Sequence, residues 1–306
     1  MKKIVKGVCL GLISVILVSV IVLGGIMFVY YPKYKSEKRS RDIAPALSGD
    51  EMRVMSCNLR CINPGDTGKK SWFYRAGLLL DGIEKAAPGI IGFQEATRWQ
   101  YKYLTDCLPE YDSTITYRDK AVNSEGCPVF YNVNLYSLID KGTFWLSETP
   151  DKMSKDWGAA CYRVCSYAVL ETRETGKRFA VFNTHLDHVS ELARINGINL
   201  VLEKIRQFGS VPAVLMGDLN AQTDSETYAA ATAVFDDAAL RTENSNPGSC
   251  TYQGFGSSLD SGRIDYFMIS KTGFEVNACF TVTDTYDGVY PSDHFPLYTD
   301  LRLTDK

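Results

Sequence analysis

The side chains best suited to chemistry in this 306-residue chain stand one or two at a time at the ends of apolar runs. Asp218 and Asn220 follow Val211-Pro212-Ala213-Val214-Leu215, which reads as a buried strand. Alternation along a strand would put an anionic oxygen ligand and a neutral amide on one face, where they could hold a hard metal ion and a phosphate oxygen. A strand running into an Asx turn accounts for the same pair equally well, so the other strand ends must decide. Asn58 closes the alternating run from Met52, and Glu95 closes Gly89-Ile90-Ile91-Gly92-Phe93-Gln94. A carboxylate in that position is costly unless paired, solvated or on a metal. Glu125 leads a third run to Tyr131, and His185, Asp187 and His188 end the run from Arg178. Those two histidines are two of the three in the chain, and interleaved with Asp they make a site more readily than one alone. Asp265 lies within Arg263 to Ile269, and Asp293-His294 within Pro291 to Pro296. An Asp-His pair outside a helix suggests a metal-linked carboxylate beside a base. Arg163, alone in Tyr162-Arg163-Val164-Cys165, is either an ion-pair partner or a phosphate clamp.

A set dominated by carboxylate and amide oxygens suits Mg²⁺, with Mn²⁺ or Ca²⁺ as alternatives, over zinc or copper. Zinc is disfavoured because the third histidine is remote and no cysteines cluster near the pair. A hard cation beside a histidine base fits attack of water on phosphorus: the cation offsets developing charge while a His–carboxylate pair removes the proton.

The elements that must position these groups alternate along the chain. Ser71 caps a predicted helix over Trp72 to Ala87 that buries Ala76, Leu79, Leu80 and Ile83. Thr97 to Leu108 reads as a short helix. Ser190 caps another to Phe208, with Leu192, Ile195, Ile198, Val201, Leu202 and Ile205 as its buried stripe. Ser225 to Leu240 reads as an alanine-rich helix, Phe144 to Pro150 as an aromatic strand end used for packing, and Gly248 to Gly256 as a loop flexible enough to line a substrate. Such alternation predicts sheets inside and helices outside. The eight cysteines from Cys57 to Cys279 form no CxxC pair; several fall in strands as small buried hydrophobes, and some could pair if the domain is exported.

Four segments divide the chain. Residues 1–7 are a basic tail, 8–31 an apolar run without a charge, 32–50 a charged linker and 51–306 the catalytic domain. The run Val8 to Tyr31 is long enough to cross a bilayer as one transmembrane helix. Ala44-Pro45-Ala46 resembles a cleavage site but lies past a charged spacer, which favours an uncleaved anchor. Lysines flank both sides of the run, yet the short tail favours its staying inside, with the domain extracytoplasmic at the cell membrane. The basic segment after the run would then touch anionic head groups, or serve only as a solvated linker. Residues 1–41 hold eight Lys/Arg and one Glu, a net of +7, so the rest of the chain carries −10. That charge repels polyanions and disfavours tight nucleic-acid binding, though not nuclease chemistry at a bound cation.

The order Asn58, Gln94-Glu95, Glu125, Asn183-Thr184-His185, Gly217-Asp218-Leu219-Asn220, Ile264-Asp265-Tyr266 and Ser292-Asp293-His294 resembles the endonuclease/exonuclease/phosphatase superfamily, the deoxyribonuclease I-like fold, over about residues 52–303. Ser71-Trp72, Phe144 to Pro150 and Thr184 to His188 look like a bacterial branch. The resemblance implies an α/β (α+β) four-layer sandwich, two packed mixed sheets flanked by helices. It implies Glu95 as the main metal ligand with Asn58 and Asp293 nearby, and His294 as general base oriented by Asp265. It also implies His185, paired with Glu125, as a second acid at the phosphoryl oxygens, and Asp218 and Asn220 as positioning groups for water and phosphate. Arg163, Asp187 and His188 are not superfamily-wide and are carried as substrate contacts. Gly89 stands where relatives often have a non-catalytic Asp. The expected function is a membrane-anchored, divalent-metal-dependent phosphoester hydrolase using His-activated water, its substrate a nucleic acid, lipid head group or small phosphate. The alternatives are a lipid- or phosphoinositide-directed enzyme and, in another class, a non-catalytic surface binding protein. No protein partner is implied.

Overall fold

Two mixed sheets carry the predicted strand ends. The computed structural model describes residues 29–305 together with Ser14 and Val18. One sheet orders its strands β12 (Ser245–Asn246), β14 (Phe274–Thr281), β15 (Leu297–Leu303), β1 (Glu51–Asn58), β2 (Ile90–Gln94), β6 (Val129–Asn132) and β4 (Tyr111–Thr114). The other orders β11 (Phe235–Asp237), β13 (Asp265–Ser270), β10 (Ala213–Asp218), β9 (Arg178–His185), β8 (Val164–Thr172) and β7 (Tyr136–Trp145). Most neighbours are antiparallel, but β1 runs parallel to β2, β9 to β10 and β12 to β14. A small lip pairs β3 (Ala96–Thr97) with β5 (Glu125–Gly126).

Period-two alternation gives each strand two buried faces. Met52, Val54 and Ile90 face inward against Val181, Val214 and Phe267 of the opposite sheet. Met55, Cys57 and Phe93 face outward under helices α2 (Trp72–Ala86) and α3 (Arg98–Cys107), which contribute Leu79, Ile83 and Leu104. On the far side α4 (Glu191–Arg206) sets Ile198, Val201 and Leu202 over Phe182 and Leu215. Each such side chain contributes about 1.5–3 kcal/mol by leaving water. The order helix, sheet, sheet, helix is the layered architecture expected.

Several local expectations are revised. The stretch 32–50, read as a linker, packs on the domain: helix α1 (Tyr31–Glu37) buries Tyr34 against Phe73 and Tyr103. Beyond it Arg41 is buried on Asp81 and Glu84 at 2.8 and 2.6 Å, and Ile43 joins the outer core. The apolar run from Val8 lies outside the described residues except at Ser14, Val18 and its last three positions. Among the described residues no helix is long and apolar enough to cross a membrane. The alanine-rich stretch is helical only as α5 (Glu226–Val234), because Phe235 to Asp237 pairs with β13 and tertiary pairing overrides propensity. Leu192 is 58% exposed, and the buried face of α4 runs from Ala193 through Ile198 to Ile205. The eight cysteines are free thiols, most of them buried.

Two glycines mark close approaches. At Gly92 an added Cβ would lie 2.6 Å from Met216 Cε and 2.9 Å from Asn183 Cγ. That gap lets Asn183 cross between the sheets, donating to the Phe93 and Pro128 carbonyls (2.7 and 2.8 Å) and accepting from Gln94 Nε2 at 2.6 Å. Gly217 has φ +133°, and its Cβ would stand 2.0 Å from Thr184 O. Gly217→Ala is therefore expected to cost about 3 kcal/mol by pushing β10 off β9. Gly209→Ala, at φ +63° with nothing within 4 Å, should cost about 1 kcal/mol. Urea denaturation of both variants separates the clash from the backbone strain.

Candidate active site

Strand registers bring the scattered groups together. Pairing of β10 with β13 sets Asp218 opposite Asp265, and pairing of β9 with β10 sets His185 beside Asp218. Pairing of β1 with β2 sets Asn58 beside Gln94, so Glu95 follows at the same edge. The loop before β15 delivers Asp293 and His294. These ends open on a pocket of about 450 Å³ whose lining includes Glu95, Glu125, His185, Asp218, Asp293 and His294. Arg60, Glu95 and Asn220 lie in it with φ of 53°, 58° and 47°. Left-handed backbone is strained for such residues and accumulates at sites where the surroundings enforce it.

His294 is the best-defined group. Its Nδ1 is 2.9 Å from Asp265 Oδ2, its Nε2 is 3.7 Å from Asp218 Oδ2, and the Tyr252 ring packs on its edge. Burial opposes the charged ring, but Asp265, Asp218 and Asp293 outweigh it and push its pKa up to about 10. Asp218 Oδ2 is a hub: Asn58 Nδ2 donates to it at 3.1 Å and His185 Nε2 lies 3.4 Å away. Burial and repulsion from Asp265 push Asp218 up to about 7. Burial, helped by Arg163, His294 and Arg118, holds His185 well below the usual histidine range, so its ring is neutral. At Glu95 burial is outweighed by the Cys61 N–H (2.8 Å), the His294 ring and the Asn58 amide, and its pKa is lowered.

Sequence similarity bears on this geometry. The endonuclease/exonuclease/phosphatase family matches residues 55–294, most of the chain. The chain belongs to that family. A solved endonuclease/exonuclease/phosphatase structure from Bacteroides vulgatus is 32% identical with a TM-score of 0.79, covering 83% of this chain and 99% of its own. A mannosyl-6-phosphatase from Bacteroides thetaiotaomicron is also 32% identical, with a TM-score of 0.75 and coverage of 82% and 99%. Human Nocturnin is 24% identical over 263 residues, 77% of this chain. The chain spans 59% of the length of the first curated relatives it matches.

For this family member the donor set fits a divalent cation. Glu125, Asp218 and Asp293 are all raised, by burial first and then by carboxylate neighbours such as Glu95 and Asp265. A cation among them would relieve that repulsion. Among the described residues, Asp218, Asp265 and His294 form the group whose ligand atoms lie within 4.8 Å of one another. Because Asp265 already engages His294 Nδ1, this group reads as a base held between carboxylates, leaving Glu95 and Asp293 as the acids for a cation. Asn58 turns its Nδ2 toward Glu95 and Asp218, while its Oδ1 accepts the Arg60 N–H at 2.9 Å.

Other predicted residues take different partners. Glu125 is gripped by Arg118 at 2.7 and 2.9 Å, so it does not pair with His185, which turns to Asp218 instead. Asp187 is buried and accepts the N–H groups of Cys161, Val189 and Ser190. It organises its loop, and no substrate would reach it. Arg163 and His188 do line the pocket, 3.0 Å apart, with the Arg163 guanidinium otherwise 3.7 Å from Asp187. The Asx-turn reading of Asp218 and Asn220 holds: Asn220 follows the strand, its N–H closes the turn on Asp218 Oδ1 at 2.9 Å, and both residues line the pocket. The glycine-rich loop is a brace as much as a lining. Thr251 Oγ1 accepts the Asp265 N–H, the Gln253 N–H reaches Asp293 O, and Gln253 Nε2 reaches Ser292 O.

Arg118 and Arg60 carried no signal in the sequence, since both sit in polar loops. Arg75 was hidden inside a helix. It is fully buried and donates to the carbonyls of Leu59, Arg60, Lys70 and Pro291.

The raised His294 pKa predicts a pH effect. The group contributes stability fully below its unfolded value, about 6.5, and loses it as pH rises through about 10. In chelator, the stability gap between wild type and His294→Asn should therefore shrink from pH 7 to 10, measured by urea denaturation. Buried thiols such as Cys57 titrate in both proteins and cancel in the difference.

Proposed function

We propose that the chain is a membrane-anchored, divalent-metal-dependent hydrolase of small phosphate esters, including lipid head groups. The observation that carries the reading is the His294–Asp265 pair facing clustered acids in one compact pocket. A cation, Mg²⁺ by the hardness of the donors, would be held by Glu95 and Asp293 with Asn58 beside them, and would neutralise charge on the phosphoryl oxygens. In its neutral form, which a cation bound among the acids would favour by offsetting the charges that raise its pKa, His294 takes the proton of the attacking water at Nε2 while Asp265 fixes the ring through Nδ1 and stabilises the imidazolium. The water oxygen bonds to phosphorus as the bond to the leaving oxygen breaks. Asp218 and Asn220 orient the water and the phosphate. His185, being neutral, donates to a phosphoryl oxygen without adding charge. Arg163 and His188 meet the ester's other anionic or polar groups.

Small esters are favoured over polynucleotides by the net charge of −10 after residue 41 and by the likeness to the mannosyl-6-phosphatase. Purified full-length protein should be offered sugar phosphates, phosphoinositides, sphingomyelin, nucleotides, RNA and plasmid DNA, each with Mg²⁺ or EDTA. Release of phosphate or head group from the small esters, abolished by EDTA, is expected. Faster cleavage of RNA or DNA would replace this with a nuclease, and no metal-dependent turnover of any substrate would remove the enzyme reading. The anchor is the run Val8 to Tyr31, with the domain outside the cell. Protease should then cut the domain on intact cells; cutting only after lysis would reverse the topology.

A further inference from the structure

A groove of about 540 Å³ lies between α1 and α3, apart from the active-site pocket. Its lining combines Lys35, Lys38, Arg98 and Lys102 with aromatic rings and, among the described residues, includes no acid. Tyr34 and Tyr103 stack at 4.7 Å as its floor, and Trp99 stands 60% exposed at its rim. Asp106 sits to one side, 2.6 Å from Lys38 and 3.1 Å from Lys102, which holds both ammonium groups in place and leaves the lining cationic. The Arg98 Cζ lies over the Tyr117 ring, 4.0 Å from its centroid.

Three observations converge on one occupant. The groove sets Lys35 and Lys38, from the net +7 segment before residue 42, beside Arg98 and Lys102, cations on the part of the chain that carries −10. Exposed Trp with Tyr, interleaved with Lys and Arg, is the composition that settles at the head-group level of a bilayer. The apolar run ends at Tyr31, the first residue of α1, so the chain that forms one wall of the groove would leave the membrane at that point. The packing of residues 31–43 on α2 and α3 then fixes the domain's pose, because no free tether separates the run from the groove.

We infer that the α1–α3 face docks on the bilayer and that its groove takes the head group of an anionic phospholipid. This rests on the reading of Val8 to Tyr31 as an anchor and goes beyond the hydrolase reading. The docked face also adjoins the active site: Arg98 follows Thr97, whose strand pairs with Glu125, and Tyr117 precedes the Arg118 that grips Glu125.

The test uses full-length protein reconstituted into nanodiscs of phosphatidylcholine, with or without phosphatidylglycerol, carrying a head-group spin label. Subtracting the Trp99→Phe signal isolates Trp99 from Trp72, Trp145 and Trp157. Quenching of Trp99 should appear with phosphatidylglycerol, weaken with salt, and fall in Lys35→Glu/Lys102→Glu. Each charge removed should weaken head-group engagement about fivefold. Hydrolysis of a soluble phosphoester by that variant should stay at the wild-type level, which shows that it folds. Quenching that is absent, or equal in both lipids and in the charge-reversed variant, overturns the docking. Shielding of Trp99 in lipid-free detergent also overturns it, because the chain's own N-terminal segment would then fill the groove. Protein stripped from the bilayer by alkaline carbonate overturns the anchor and the docking together, while leaving the hydrolase reading untouched.

Discussion

His294→Ala should lower kcat on the protein's phosphoester substrates by about 10³–10⁴-fold with KM little changed. The ring is the one titratable base in the pocket held on one side by a carboxylate at 2.9 Å with its second nitrogen turned toward the remaining acids. Removing it leaves Glu95, Asp293 and the proposed phosphate contacts in place, so binding should survive while proton removal does not. Asp265→Asn should act in the same direction more weakly, because the amide still orients the ring but no longer stabilises the imidazolium. It should also lower the pKa that governs kcat/KM, since Asp265 is the strongest of the groups raising His294. Steady-state kinetics over pH on all three proteins decides it. A His294→Ala enzyme within tenfold of wild type would assign the base elsewhere.

Arg75→Leu should cost about 3–5 kcal/mol of folding stability, the penalty for breaking a fully buried charged network from one side. Burial lowers the Arg75 pKa to about 10, yet the group stays charged at neutral pH and has no carboxylate in contact. Its partners are main-chain carbonyls: Leu59 and Arg60 after β1, Lys70 before α2, and Pro291 before Asp293. Leucine would leave these acceptors dry. Because Asn58 and Asp293 ride on two of those loops, the variant should also bind metal more weakly than its stability loss alone explains. Urea denaturation and titration with Mn²⁺ read the two effects separately. A loss under about 0.5 kcal/mol, the ordinary range for a surface substitution, would mean water replaces the guanidinium.

Much of the site was legible because polar residues at the ends of apolar runs are conspicuous. Asn58, Glu95, Asp218 and His294 all violate the apolar pattern around them, and strand register then does the assembly. What stayed hidden depends on partners distant in sequence. Nothing local marks Arg118 as the residue that claims Glu125, or separates Asp187 as a loop organiser from His188 as a pocket residue. Nothing in its helix marks Arg75 either, since periodicity reports faces and not the polar contacts a buried face can make. The segment 32–50 misled for a related reason. Its charges suggested solvent, but Arg41 is neutralised by acids forty residues away, a pairing that composition does not register.

The contact between Gln94 and Asn183 has a consequence for how this protein can change over time. The first sheet and its adjoining loops carry Asn58, Glu95 and Asp293, and the second carries His185, Asp218 and Asp265, so neither half alone holds the full set of pocket groups. Directly beneath them the halves are stitched by two amides through the space that Gly92 leaves open. Gly92, Gln94, Asn183 and Met216 therefore form a seam that must be inherited as a unit. Loops and outer helices can drift one residue at a time, but halves recombined from two diverged relatives will place their acids and bases correctly only where their seams match.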